Sequence, residues 1–228
     1  MSAIRDDLRE AVAQSGRDFC ARELTWGRDA GDTSLRDPAT GYVYILPMPG
    51  PALRIDTWAT ITAKDVAVVD TDGRNVGDAD VRPTVELLTH LRIYQARPDA
   101  AAIVHSHGKW TRVFAALRQP VPLLMMDQFK YTGASGIGCA RIGPAGSDQV
   151  ARSAVDCLGQ HSKVVLLAAH GAVALGEDMT EAMSVAEIAE DMARLAICAK
   201  ALGDPPEVTL ADFIDEDTAR DTLLKREV

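Results

Sequence analysis

The sequence predicts an α/β fold, a sheet sandwiched by helices, and three observations carry that reading. Apolar runs with strand texture alternate with segments of helical spacing along the chain. No internal repeat or low-complexity tract interrupts the alternation. A length of 228 residues, 47% of them hydrophobic, fills one sizeable core without calling for a second, so residues 1–228 read as a single domain.

Taken in order, Ile4, Leu8, Ala11, Val12 and Phe19 recur near helical spacing and predict an amphipathic covering helix from about Ala3 to Glu23. From Trp26 to Pro51, Gly, Asp, Thr, Ser and Pro surround the short run 42–46 (YVYIL), the texture of loops flanking one strand and a candidate substrate-facing region. Residues 66–70 (VAVVD) followed by TDG read as a strand ending in a turn. A helix begins at Val81 with Pro83 in its first turn, where the missing N–H is tolerated, and Leu87, Leu91 and Tyr94 line its buried side. Residues 101–107 (AAIVHSH) predict a strand, and Trp110 to Leu117 a helix. The Gly-rich stretch from Gly133 to Gly146 lacks the strand–GxGxxG–helix context of a dinucleotide site and reads as a flexible connector. A helix to about Gly159 follows, then a fully apolar strand 163–169 (KVVLLAA) that stops at His170-Gly171. Met179 to Leu202 is a long Ala-rich helix with one apolar side, and an acidic tail completes the chain.

The formal charge of −9 and the lack of a Lys/Arg-rich run remove the electrostatic basis for nucleic-acid binding, which leaves small molecules as the expected partners. Charges occupy the start of the chain where a secretion signal needs an apolar stretch, and no apolar run reaches the eighteen or so residues that span a bilayer. The expected location is therefore the cytoplasm, with no membrane partner. Cys20, Cys139, Cys157 and Cys198 form no Cys-x-x-Cys pair and are expected to be reduced packing residues.

The chemistry concentrates in the histidines. Side chains of a strand alternate between faces, so His105 and His107 project to the same side and can converge on one centre. His170, before Gly171, is a third strand-end imidazole, and the glycine would leave room for a ligand to approach. Three neutral imidazoles around a divalent cation leave coordination positions open, as in a catalytic site; the alternative is that each simply hydrogen-bonds to backbone. His161 sits in a polar turn and reads as solvated, while His90, one turn beyond Glu86, is expected to pack or hydrogen-bond locally. A carboxylate at a helix start is stabilised as an anion, so Glu86 is either a helix-start residue or a general base beside the metal.

In order and spacing, the run 86–107 (ELLTHLRIYQARPDAAAIVHSH) resembles the Glu, His, Tyr, Arg-Pro-Asp and His-x-His signature of the class II aldolase/adducin family of sugar-phosphate aldolases and epimerases. The run 164–171 (VVLLAAHG), followed by Gly176 and an Ala-rich helix, resembles that family's second signature. With 34–38 (SLRDP) and 69–73 (VDTDG), the similarity covers roughly Ala30 to Leu202. The resemblance implies a three-layer α/β/α sandwich with a central mixed, largely antiparallel sheet, commonly as a homotetramer with sites at subunit interfaces. It implies that His105, His107 and His170 bind zinc or a similar divalent ion (manganese, cobalt or ferrous iron), and that Glu86 is the acid/base carboxylate.

The departures from the family pattern bear on the substrate. Family aldolases cradle a phosphate with a Gly-Asn pair, a Ser/Thr-Gly pair and a Ser-Ser pair before the catalytic Glu; the corresponding positions are Gly31-Asp32, Pro49-Gly50 and Thr84-Val85. Asp32 adds negative charge, Pro49 has neither amide donor nor hydroxyl, and Val85 lacks a hydroxyl. The tyrosine that the family takes from a neighbouring subunit aligns with Met126, with Tyr131 nearby but out of register. Arg82, Lys109 and Arg112 are cations that could instead hold a carboxylate. The expected substrate-facing set is thus Gly31, Asp32, Gly50, Thr84, Arg82, Lys109 and Tyr131. The expected activity is that of a divalent-metal-dependent lyase, an aldolase or a decarboxylase, cleaving a carbon–carbon bond of a small hydroxylated carbonyl or carboxylate compound without the usual phosphate. A ferrous-iron oxygenase on the same three histidines is the second reading. A non-catalytic adducin-like binding domain is the third, and the retention of the three histidines and Glu86 speaks against it.

Overall fold

The computed structural model describes residues 4–27, 29–48, 58–132, 136–206, 208 and 212. Its helices are α1 (Asp6–Ala21), α2 (Leu87–Ala96), α3 (Thr111–Leu117), α4 (Phe129–Thr132), α5 (Asp148–Leu158) and α6 (Met179–Leu202). Its strands are β1 (Asp32–Arg36), β2 (Val43–Ile45), β3 (Ala67–Val69), β4 (Ala102–Ser106), β5 (Cys139–Ala140), β6 (Val164–Leu167) and β7 (Gly171–Gly176). They form one seven-stranded sheet in the order β3-β2-β1-β4-β7-β6-β5. Every neighbouring pair is antiparallel except β5 and β6, so the sheet is mixed and largely antiparallel.

Strand alternation divides the core between two helical layers. Ala102 and Val104 of β4, with Ala172 and Ala174 of β7, pack against Val12 and Phe19 of α1 and against Ala186, Ala189 and Ala193 of α6. Ile103, Val173 and Leu175, on the opposite face, meet Leu91 and Tyr94 of α2 and Val150, Ala154 and Leu158 of α5. The result is the three-layer α/β/α sandwich. The alanines of α6 let its backbone lie close on β7: a Cβ added at Gly176 would stand 2.4 Å from the Ala182 amide nitrogen. No helix among the described residues is long and apolar enough to cross a membrane.

Three strands depart from the sequence reading. β1 lies inside the segment read as loops, because its Asp32, Thr33 and Ser34 are polar yet buried, each engaged by another side chain. β7 follows the point where the apolar run was expected to stop; Leu167 pairs with Gly171, so 164–176 is a hairpin rather than one strand and a loop. β5, two residues long, sits in the stretch read as a flexible connector and pairs with β6. The helix expected from Val81 begins at Leu87, since Pro47 and Pro83 form a bridge and the Thr84 N–H donates to the Leu46 carbonyl (3.3 Å), which ties the preceding turn to the sheet. Pro49, Gly50, Gly133 and most of the acidic tail lie outside the described residues.

Candidate metal centre

The fold brings His105, His107 and His170 to one point, their ligand-capable nitrogens all within 4.8 Å of one another. His105 occupies the face of β4 that also carries Ile103, and His107 follows the end of the strand, its N–H held by the Leu24 carbonyl (2.9 Å). His170 comes from the β6–β7 hairpin turn. That turn is formed by Ala169 in the left-handed region (φ +57°) and is closed by the His170 N–H on the Leu167 carbonyl (3.0 Å). Gly171 does not open space for a ligand, as its sequence context suggested; β4 fills that space. A Cβ there would lie 2.3 Å from the Ser106 carbonyl and 3.2–3.3 Å from the His107 and His105 rings. The glycine is what lets the hairpin turn deliver its imidazole beside the other two.

The ring centroids stand 4.8 to 5.0 Å apart, and His105 Nε2 is 3.1 Å from His107 Nε2. His105 Nδ1 lies 3.0 Å from the Ala172 carbonyl, which can only accept, so its proton is on Nδ1 and its Nε2 carries a lone pair aimed at His107. Burial first, and then neighbouring imidazoles, push His105 down to about 4 against the opposing pull of Asp32, and push His107 down to about 3. Both rings are therefore neutral at pH 7. Two neutral imidazole nitrogens 3.1 Å apart match donors sharing one cation, because metal–nitrogen bonds of about 2.0–2.1 Å place tetrahedral neighbours about 3.3 Å apart. The donor set fits a divalent ion.

Glu86 completes the cluster. It stands at the N-cap of α2 but does not cap its own helix with its side chain. Oε1 accepts from the Gly146 N–H (2.9 Å) and lies 4.0 Å from His170 Nε2, while Oε2 accepts from the Thr89 hydroxyl (3.1 Å). The carboxylate is buried and aimed at the histidines. Thr89, three residues along the same helix, was readable from spacing, but the Gly146 amide, sixty residues away, was not.

A second polar cluster adjoins the first, for Asp32 is the cross-strand partner of His105. Asp32 Oδ2 accepts from the Thr84 hydroxyl (2.7 Å), and Oδ1 is paired with His90 Nε2 at 2.8 Å, off the line of an ideal hydrogen bond. His90 Nδ1 meets the Ser34 hydroxyl (2.8 Å), which meets the Tyr94 hydroxyl (2.8 Å). Burial alone would raise the Asp32 pKa; His90, His105 and the Thr84 hydroxyl outweigh it and hold the carboxyl below the usual carboxylate range. Asp32 is thus a buried anion, and the Thr84 hydroxyl proton points at it. His90, expected to pack or bond locally, makes this long-range pair, and nothing in the sequence linked it to β1.

The remaining sequence candidates are placed as follows. Gly31 (φ +82°) has His105 and Phe19 where a Cβ would go, and its carbonyl accepts from Trp58 Nε1 (3.1 Å). Arg82 is exposed, and its carbonyl accepts from the Met48 N–H. Lys109 is exposed with Nζ on Glu23 (2.5 Å). Tyr131 packs on the core layer of α6, with Lys130 Nζ 4.6 Å from its ring centroid, and Met126 is exposed. Arg112, on α3, lies over the Trp26 ring at 5.1 Å.

Comparison with known proteins accords with this architecture. The chain is 30% identical over 165 residues to the L-fuculose phosphate aldolase of Methanococcus maripaludis, covering 72% of this chain and 83% of that one. It is 28% identical over 197 residues to the 5-deoxy-D-ribulose 1-phosphate aldolase of Bacillus thuringiensis, covering 86% and 87%. Among solved structures, an L-fuculose 1-phosphate aldolase superposes with a TM-score of 0.82 at 26% identity, covering 99% of this chain and 98% of that one. YgbL from Escherichia coli, for which aldolase, epimerase and decarboxylase activities are the candidates, superposes at 0.71 with 25% identity, covering 90% and 94%. Residues 10–197 match the family model of the class II aldolase and adducin N-terminal domain. The chain therefore belongs to the class II aldolase and adducin family.

Proposed function

We propose that this chain is a divalent-metal-dependent carbon–carbon lyase acting on a small hydroxylated carbonyl or carboxylate compound that carries no phosphate at the Asp32–Thr84 position. His105, His107 and His170 would hold the ion, zinc being the first expectation on this all-imidazole set, with manganese, cobalt or ferrous iron as alternatives. When bound, the ion supplies Lewis-acid stabilisation of the electron pair released as the bond beside a carbonyl breaks. The observation that carries the reading is the pairing of three converging imidazoles with a buried carboxylate 4.0 Å from one of them.

The protein's own groups divide the work. Ala172 fixes the His105 tautomer so that Nε2 faces inward, and burial keeps His105 and His107 unprotonated and available as donors. The Gly146 amide and the Thr89 hydroxyl hold Glu86 in place, so that it can take a proton from a substrate hydroxyl or return one to the carbon left after cleavage. The phosphate-free substrate is supported by the second cluster. Asp32 is a buried anion beside His105, and the hydroxyl of Thr84, the donor a phosphate would use, is already directed at it. The two relatives above are named for phosphorylated sugars, so this cluster marks where the chain would part from them. A homotetramer is part of the proposal; exposed Val85, Leu117, Met125 and Met126 are side chains that a subunit interface would cover.

Metal analysis of the purified protein, joined to a screen of hydroxy-acids, keto-acids and phosphorylated sugars for aldehyde or carbon dioxide release, tests the reading. Activity that disappears on exhaustive chelation, returns with a divalent ion and prefers unphosphorylated compounds is the expected result. Full activity after chelation would overturn it, and oxygen uptake by an anaerobically iron-loaded sample would favour the oxygenase instead.

A further inference from the structure

Of the three cations that stand near the histidine cluster in sequence, one is both unpaired among the described residues and half-buried. Lys109 turns away to Glu23, and Arg82 is exposed at the turn before α2. Arg112, in the first turn of α3, lies half-buried with its guanidinium over the Trp26 ring at 5.1 Å from the centroid. Among the described residues its guanidinium has neither a carboxylate partner nor a hydrogen-bond acceptor. The acids around it are occupied: Glu190 accepts from the Trp110 and Thr111 N–H groups (2.8 and 2.9 Å), and Glu23 takes Lys109.

The setting ties this cation to the candidate metal centre. The His107 N–H donates to the Leu24 carbonyl, which fixes the segment carrying Trp26 alongside the segment running from His107 into α3. Arg112 itself stands five residues beyond His107, in the first turn of the helix that follows it. Stacking on an indole face holds a guanidinium in one plane while leaving its N–H edge free, the edge that meets a carboxylate through two parallel hydrogen bonds. Trp26 is 61% exposed, which leaves the guanidinium stacked on it open to a ligand from solvent.

We propose that Arg112, braced by Trp26, is the carboxylate-binding residue of the active site, so that the substrate is a small hydroxylated acid whose anionic end rests on Arg112 while its oxygens face the three histidines. This rests on the metal-dependent lyase reading and names the substrate class for it. The guanidinium supplies the positive charge that the Asp32 cluster lacks, and it does so on the His107 side of the centre rather than the Thr84 side.

The test uses the full-length, zinc-reconstituted protein and three probes titrated by calorimetry: glycerate, glycerol and glycerol 3-phosphate. Arg112→Gln should weaken glycerate by about tenfold or more, the range expected for losing a charge-assisted pair, while leaving glycerol, zinc content, melting temperature and sedimentation behaviour unchanged. Arg112→Lys should recover only part of the loss, and Trp26→Ala should weaken glycerate by a smaller factor. Loss confined to glycerol 3-phosphate would show a phosphate site and overturn the proposal. So would a change in subunit assembly with glycerate affinity intact, or equal binding of glycerate by wild type and Arg112→Gln. Failure of the lyase reading looks different: the wild-type protein would hold no stoichiometric metal and cleave nothing, whatever Arg112 does.

Discussion

Two polar clusters meet where β1 and β4 pair, and they use their hydrogen-bonding groups in opposite ways. On the Asp32 side, Thr84, Asp32, His90, Ser34 and Tyr94 engage one another in a closed chain. On the His105 side, two imidazole nitrogens face each other across 3.1 Å and a carboxylate faces His170 at 4.0 Å, all turned toward one centre. A buried polar cluster whose members engage one another stabilises and specifies the fold; one that turns neutral imidazoles and a carboxylate toward a common centre is arranged to receive a ligand. The difference separates residues that shape the site from residues that would use it.

The sharpest way to break this comparison is to remove members of the open cluster. His105→Ala should lose tight metal binding and all activity, as read by metal content and turnover. Glu86→Gln should keep stoichiometric metal while turnover falls by about 10²–10⁴-fold, the range of a lost general acid/base. Metal loss in Glu86→Gln would make the carboxylate a fourth ligand and erase the division of roles.

Disrupting the closed cluster should instead register as stability. Asp32→Asn keeps the shape but removes the charge that faces His90, and breaking a buried pair this way costs about 3 kcal/mol. Chemical denaturation should report that loss with metal affinity little changed. The same variant should bind glycerol 3-phosphate better than wild type, because the buried anion is gone. An unchanged preference would remove the case for a phosphate-free substrate.

The contrast also explains what the sequence could tell. The long helices, β4 and β6 were legible because their apolar residues follow a clean period, and the His-x-His pair was legible because it ends such a strand. β1 was not, since buried Asp32, Thr33 and Ser34 look like loop residues until their partners Thr84, Ser15 and His90, each distant in sequence, are in place. β7 hid behind Gly171, which reads as punctuation but is required by the approach of Ser106. The fold groups Glu86 with the three histidines that the family resemblance named, yet neither the resemblance nor the pattern showed Asp32 paired with His90 or Arg112 on Trp26.

Gly171 offers an intermediate test. Gly171→Ala places a methyl 2.3 Å from the Ser106 carbonyl, so the hairpin must shift, at about 1–3 kcal/mol of stability for overpacking. Because the shift carries His170 away, metal affinity should fall along with the melting temperature, unlike in Asp32→Asn. Acid should weaken the metal-free protein in a related manner. Burial holds His105 and His107 down at about 4 and about 3 in the folded state, below the ordinary imidazole value of 6.5, so the unfolded chain binds more protons below pH 6.5. Their contribution to stability is complete above that pH and is lost as it falls through about 4 for His105 and about 3 for His107, at about 1.4 kcal/mol per pH unit for each ring. Metal-loaded protein should be more stable at neutral pH and lose stability at least as steeply over the same window, because acid also weakens metal binding, as seen by melting temperature against pH.

The smallest effect is expected at Lys109, which adjoins the histidine cluster in sequence and was a sequence candidate for substrate contact. Its ammonium pairs with Glu23 at 2.5 Å, with both side chains more than 60% exposed, and such surface pairs contribute at most about 1 kcal/mol. Lys109→Ala should therefore leave melting temperature, metal content and turnover near wild type, and raising the salt concentration should blur even the residual difference. The cation that matters at this end of the sheet is the one stacked on Trp26, not the one nearest in the chain to His107. A large rise in KM for Lys109→Ala, with kcat unchanged, would show that Lys109 leaves Glu23 when substrate arrives, and would move the anionic end of the substrate from Arg112 to Lys109.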